Sequence, residues 1–189
     1  ANAGGGGAIR SENSTLTLSN LLFSENVADG GGGIDLRFGS LATVEGTTFS
    51  GNTVTYNGGG IHAMDASTLG LSAVAFNDNE STTGDGGGVF ANNADVVVGD
   101  RSSFTGNSDA LNGGGIAVRE GTLALSETRL SGNVSGNDGG AIAVESNSIA
   151  SVSDAQLLGN VSNDDGGGIY LSQSSRLTMS DSIIQENIA

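Results

Sequence analysis

Two interleaved signals recur along this chain at an almost fixed interval, and that interval constrains the fold more than any single residue does. An asparagine follows three residues after a large apolar residue at Phe23/Asn26, Phe49/Asn52, Phe76/Asn79, Phe104/Asn107, Leu130/Asn133, Leu157/Asn160 and Ile184/Asn187. Between these, a glycine-rich run ends in a β-branched residue at Ile9, Ile34, Ile61, Val89, Ile116, Ile142 and Ile169. Successive asparagines lie 26, 27, 28, 26, 27 and 27 residues apart, and successive Ile/Val residues 25, 27, 28, 27, 26 and 27. A period this tight defines a solenoid, in which each repeat buries its apolar side only by stacking on the next.

The fifth repeat shows what one unit contains. Ile116-Ala117-Val118 alternates, Arg119-Glu120-Gly121 turns, Leu123-Ala124-Leu125 alternates, Ser126-Glu127 turns, and Thr128-Arg129-Leu130 alternates again. A period of two means strand, and three-residue patches are too short for helices. Ile116, Val118, Leu123, Leu125 and Leu130 should therefore face the core, with Ala117, Ala124 and Arg129 outward. Counting back seven and five residues from the Phe/Leu/Ile position finds the same apolar pair in each copy but the fourth. There Val97 and Gly99 fall in phase, with Val96 and Val98 beside them, which predicts a bulge or register shift.

The expected architecture is all-β: a right-handed parallel β-helix of seven coils of about 27 residues, with three short strands per coil. It forms one domain over 1–189, with coils at approximately 1–26, 27–52, 53–79, 80–107, 108–133, 134–160 and 161–187. The 33 glycines fall at fixed phase among Leu, Ile and Phe, so they mark turns and close approaches rather than a flexible linker.

Charge narrows the partners. Six Lys+Arg against 21 Asp+Glu give a formal charge of −15, which disfavours nucleic acid and anionic membrane surfaces. The absence of cysteine removes disulfides, thiol chemistry and Cys-based zinc sites. No apolar run approaches the ~20 residues of a membrane span, so this segment is not expected to insert.

Four polar features could carry chemistry. The asparagine column Asn26, Asn52, Asn79, Asn107, Asn133, Asn160 and Asn187 reads as a structural ladder of stacked amides. Asn79, Asn133 and Asn160 also lie in N-x-S/T sequons, but a ladder amide turned inward cannot carry a glycan. Asn13, in the turn Asn13-Ser14-Thr15, is the better acceptor. A second column, Asp29, Asn57, Asp85, Asn112, Asp138 and Asp165, fits Asx-turn chemistry. Its neutral Asn spacers relieve repulsion between carboxylates one coil apart, until Asp138 meets Asp165 with Asp164 beside it. That trio is the candidate metal site, and its oxygen-only ligands would suit calcium.

His62, the only histidine, follows the inward Ile61 and is expected to be exposed. The outward row Arg10, Asp35, His62, Phe90, Ala117, Ala143 and Tyr170 shows neither a run of aromatics nor paired carboxylates. Arg101, Asp100 and Asp95 are the nearest thing to an enzymatic cluster, and no catalytic set follows from them. The middle outward positions of the second strand, Thr17, Thr43, Gly70, Val98, Ala124, Ser151 and Thr178, are too varied to match an ice lattice.

Phe-x-x-Asn paired with Gly-Gly-Ala-Ile or Gly-Gly-Gly-Ile resembles the repeat of the polymorphic outer-membrane proteins, which are autotransporter-type surface adhesins. The matching elements are Phe23-Ser24-Glu25-Asn26, Phe49-Ser50-Gly51-Asn52, Phe76-Asn77-Asp78-Asn79, Phe104-Thr105-Gly106-Asn107, Gly6-Gly7-Ala8-Ile9 and Gly139-Gly140-Ala141-Ile142. The chain departs from that repeat where Leu130, Leu157 and Ile184 replace Phe, and in lacking cysteine. The resemblance implies a secreted or surface-exposed right-handed β-helix used in adhesion; cell-surface or glycan ligands and no catalysis are expected of it, and the alternatives are a β-helical polysaccharide-acting enzyme, which would need longer loops than these short turns, or a cation-binding surface module.

The termini carry one further expectation. Ala1 to Ile9 reads as the glycine turn of a regular coil and Ser182 to Asn187 as its third strand, so neither end looks like a cap. Joining Ala189 to another Ala1 would space the asparagines by 28 and the Ile positions by 29. This predicts head-to-tail stacking into a filament or surface stalk, the chain being a segment of, or a subunit in, a longer array.

Overall fold

The computed structural model describes residues 6–189, and these wind into a parallel β-solenoid. Residues Ala1–Gly5, and with them that side of the expected head-to-tail seam, lie outside the described residues. The model coil runs through strands Ile116–Arg119, Thr122–Ser126, Arg129–Ser131 and Val134–Ser135. Equivalent strands of successive coils pair in parallel, giving three seven-stranded sheets and one six-stranded sheet.

The count of four sheets corrects the expected three. The fourth is built from two-residue strands such as Thr53–Val54, Glu80–Ser81, Ser108–Asp109 and Val161–Ser162. Two residues are too few to display a period, and the inward one varies through Ala28, Val54, Ser81, Asp109, Ser135 and Ser162, so no consistent apolar signal marks it. What turns the chain into this strand is a left-handed residue before each ladder asparagine: Glu25, Gly51, Asp78, Gly106, Gly132, Gly159 and Glu186 all have φ between 52° and 66°. Only glycine occupies that region without a Cβ penalty. Asp78 is exposed there and its side chain makes no hydrogen bond among the described residues, so Asp78→Gly should raise stability by about 0.5–1 kcal/mol. An unchanged or lower urea midpoint would show that the corner is not strained.

The core follows the alternation. Ile116, Val118, Leu123, Leu125 and Leu130 are buried, while Ala124 and Arg129 are exposed. Phe23, Phe49, Phe76 and Phe104 form one continuous stack with centroids 4.8, 4.8 and 4.6 Å apart and rings within 6° of parallel. The glycine run makes room for it: a Cβ on Gly60 would come 2.7 Å from Phe76 Cδ1.

No bulge occurs in the fourth copy. Leu69 pairs with Val96, Gly70 with Val97 and Leu71 with Val98, so the strand keeps register with Val96 and Val98 inward. Val97, not Val98, is therefore the outward middle residue, 53% exposed. The extra residue sits in the following turn, where Asp100 and Arg101 both adopt positive φ. A turn at the corner absorbs an insertion without reversing every side chain, which a slip within the strand would do.

Candidate functional site

The ladder asparagines come together as expected. Each amide oxygen accepts both the backbone N–H and the Nδ2–H of the preceding asparagine, as Asn107 Oδ1 does from Asn79 at 3.1 and 2.9 Å. Its Nδ2 donates onward to Asn133 Oδ1 at 2.9 Å and back to the Phe76 carbonyl at 3.0 Å. The contacts repeat from Asn26 to Asn187. Asn79, Asn133 and Asn160 are fully buried, which closes their sequons to a glycosyltransferase, whereas Asn13 lies exposed in its turn.

The second Asx column is a ladder too, rather than a set of local turns. Asn57 Oδ1 accepts the Asp85 N–H at 2.8 Å, Asp85 Oδ1 the Asn112 N–H at 3.2 Å, Asn112 Oδ1 the Asp138 N–H at 3.2 Å, and Asp138 Oδ1 the Asp165 N–H at 3.0 Å. Of the calcium candidates Asp138, Asp164 and Asp165, Asp138 thus accepts the backbone N–H of Asp165. Among the described residues, no three His, Cys, Asp or Glu side chains form a group that could hold a metal ion.

The outward row of the first sheet needs the largest correction. His62 is 7% exposed rather than free in solvent, and Asp35, Phe90, Ala117 and Ala143 are buried with it. The left-handed glycine corner folds back over this row. A Cβ on Gly58 would come 2.9 Å from His62 Cα, and one on Gly113 2.8 Å from Ala117 Cβ. Sequence alternation assigns a face but cannot tell whether the chain later covers it.

Two charge networks occupy the covered row. In one, Asp35 Oδ2 accepts from Arg37 Nε at 2.8 Å and Asp35 Oδ1 faces His62 Nδ1 at 3.2 Å. Burial pushes the Asp35 carboxyl up, but His62 and then Arg37 outweigh it and hold the group below its ordinary value. In the other, Arg119 bridges Asp85 at 2.8 Å and Glu145 at 2.9 Å, with Asn112 Nδ2 donating to Glu145 at 3.2 Å. Phe90 joins the two: Arg119 Cζ lies 5.7 Å from its ring centroid and the His62 ring 5.5 Å away. Asp85 titrates above its usual range, chiefly because it is buried, with Arg119 opposing and Glu145 adding to the rise. Arginine holds Asp35 Oδ2, Asp85 and Glu145, backbone N–H and Asn112 add to Asp85 and Glu145, and Asp35 Oδ1 and His62 Nδ1 are buried facing each other without a hydrogen bond.

The Arg101, Asp100 and Asp95 cluster is dispersed. Asp100 accepts from Ser72 Oγ and Asp95 from Thr122 Oγ1, both at 2.6 Å. Arg101 instead lines a shallow depression with Arg129, Glu127, Asp154 and Gln156.

These features define a parallel β-solenoid whose polar side chains serve mainly to stitch coil to coil. Residues 46–64, from the second Phe-x-x-Asn element through the following glycine run and Ile61, match the Chlamydia polymorphic membrane protein repeat. No curated protein and no solved structure matches the chain.

Proposed function

We propose that this chain is an extracellular or cell-surface structural solenoid, wound right-handed, that acts in adhesion and not in catalysis. The observation that carries the reading is the match of residues 46–64 to a polymorphic membrane protein repeat, within a coil pattern that runs unbroken through the described chain. Its partners are cell-surface or glycan ligands, met by a rigid and strongly acidic rod. Stacking onto further coils, of the same chain or of another copy, is part of the same proposal.

Beads coated with the folded chain should retain intact cells or immobilised glycans, and beads coated with heat-unfolded chain should not. Equal retention by both would overturn the adhesive reading. Sedimentation across concentrations, with micrographs of the same samples, tests stacking: growing rods support it, and a concentration-independent monomer does not.

A further inference from the structure

The second sheet, to which Thr122–Ser126 belongs, has the longest strands, five residues in each of seven coils, and three of every five point outward. No corner folds back over it as one does over the first sheet. Leu41, Val97 and Ile149 are 45%, 53% and 54% exposed, and a Cβ on Gly70 would meet nothing closer than 3.8 Å. The face is also poor in charge. Of the 21 carboxylates only those of Glu45 and Asp95 lie on it, with the guanidinium of Arg176, which leaves −1 on the broadest face of a chain of −15.

The three outward columns differ in size. The first holds Leu41, Asp95, Ile149, Arg176 and three threonines. The middle one holds nothing larger than valine or threonine, and the last holds five serines, Gly99 and Glu45.

We propose that this face docks a second copy of the chain, sheet on sheet, about a two-fold axis parallel to the winding axis. Such an axis sets each coil against its own counterpart and reverses the strands. The bulkier first column of each copy then lies over the smaller last column of the other, Ile149 over Ser153 and Asp95 over Gly99, while Val97 at the centre meets its counterpart. The surface is thus complementary to itself, as an isologous contact requires. Seven strands about 4.8 Å apart, each of five residues at about 3.3 Å, make roughly 550 Å² per copy and about 1,100 Å² in all, which reaches the ~1,000 Å² of a specific interface. The third sheet carries only Arg129 outward, but its three-residue strands give about 330 Å² per copy and fall short. Two strongly acidic rods repel through their acid-rich corners, so contact through the near-neutral face buries the fewest carboxylates.

Sedimentation of the intact chain in about 0.15 M salt, which screens charges beyond about 8 Å, should show a monomer–dimer equilibrium that ends at the dimer. Head-to-tail stacking instead grows without end, so the two contacts are separable. Val97→Glu sets a carboxylate against its counterpart and should raise the dimer dissociation constant at least about tenfold. Thr105→Glu, on the third sheet, should leave it unchanged, and circular dichroism checks that both variants fold. The chain has no cysteine, so Val97→Cys gives an independent reading. A short bis-maleimide should join two copies through that position and should not do so for Thr105→Cys. A monomer at every concentration, a dimer indifferent to Val97→Glu, or equal joining at both positions would overturn the contact. A chain that stays monomeric but loses cell retention with Val97→Glu would assign the face to an adhesion ligand and overturn it as well.

Discussion

Asn107→Ala should lower the unfolding free energy by about 4 kcal/mol, a large fraction of what holds a domain of this size folded. The cost comes from what the amide leaves behind. Asn79 loses the acceptor of both its backbone N–H and its Nδ2–H, and the Phe76 carbonyl loses its donor. All these groups are buried, where each stranded donor or acceptor costs about 1–3 kcal/mol. Thr105→Ala, two residues away on the exposed side, should stay within about 0.5 kcal/mol. Urea titrations of the three proteins, followed by circular dichroism, compare them at constant m-value. A loss under 1 kcal/mol for Asn107→Ala would reduce the ladder to a turn preference.

Phe76→Ala should cost a similar amount, about 4 kcal/mol, by a different route. Phe76 sits between Phe49 and Phe104 with rings 4.8 and 4.6 Å away, and its other side meets Gly60. The sheets on either side are pinned in register by their own hydrogen bonds, so the walls cannot close on the space. Phe76→Leu, which copies Leu130 and Leu157 at the same position, should recover more than half of the loss. Equal destabilisation by Ala and Leu would mean that ring stacking, and not volume, is what matters there.

Much of this was legible because the asparagine ladder repeats one residue at one phase and a large apolar residue keeps its place three positions before it. Ile116, Leu123, Leu125 and Leu130 faced inward as their alternation required. The sites were harder to read. His62 and Asp35 occupy outward positions, and their burial depends on a corner arriving from elsewhere in the coil. Asp85, Arg119 and Glu145 are separated by 34 and 26 residues, so their ion pairs appear only once the coils are stacked. Asp109 did leave a trace: it is the one acid in a column otherwise filled by Ala, Val and Ser. That trace could be used only with the two-residue fourth strand recognised as a strand.

The direction of the hydrogen bonds has a mechanical consequence. The sheet ladders and the asparagine ladder all join a coil to its neighbour, so their bonds point along the axis of the winding. A pull that lifts a terminal coil away loads that boundary bond by bond, as in opening a zip, while coils further in carry no extra shear. Each coil that opens frees about 27 residues, roughly 90 Å of extended chain, before the next boundary takes the load. A tether made this way lengthens in steps and absorbs a tug without losing the coils that remain wound.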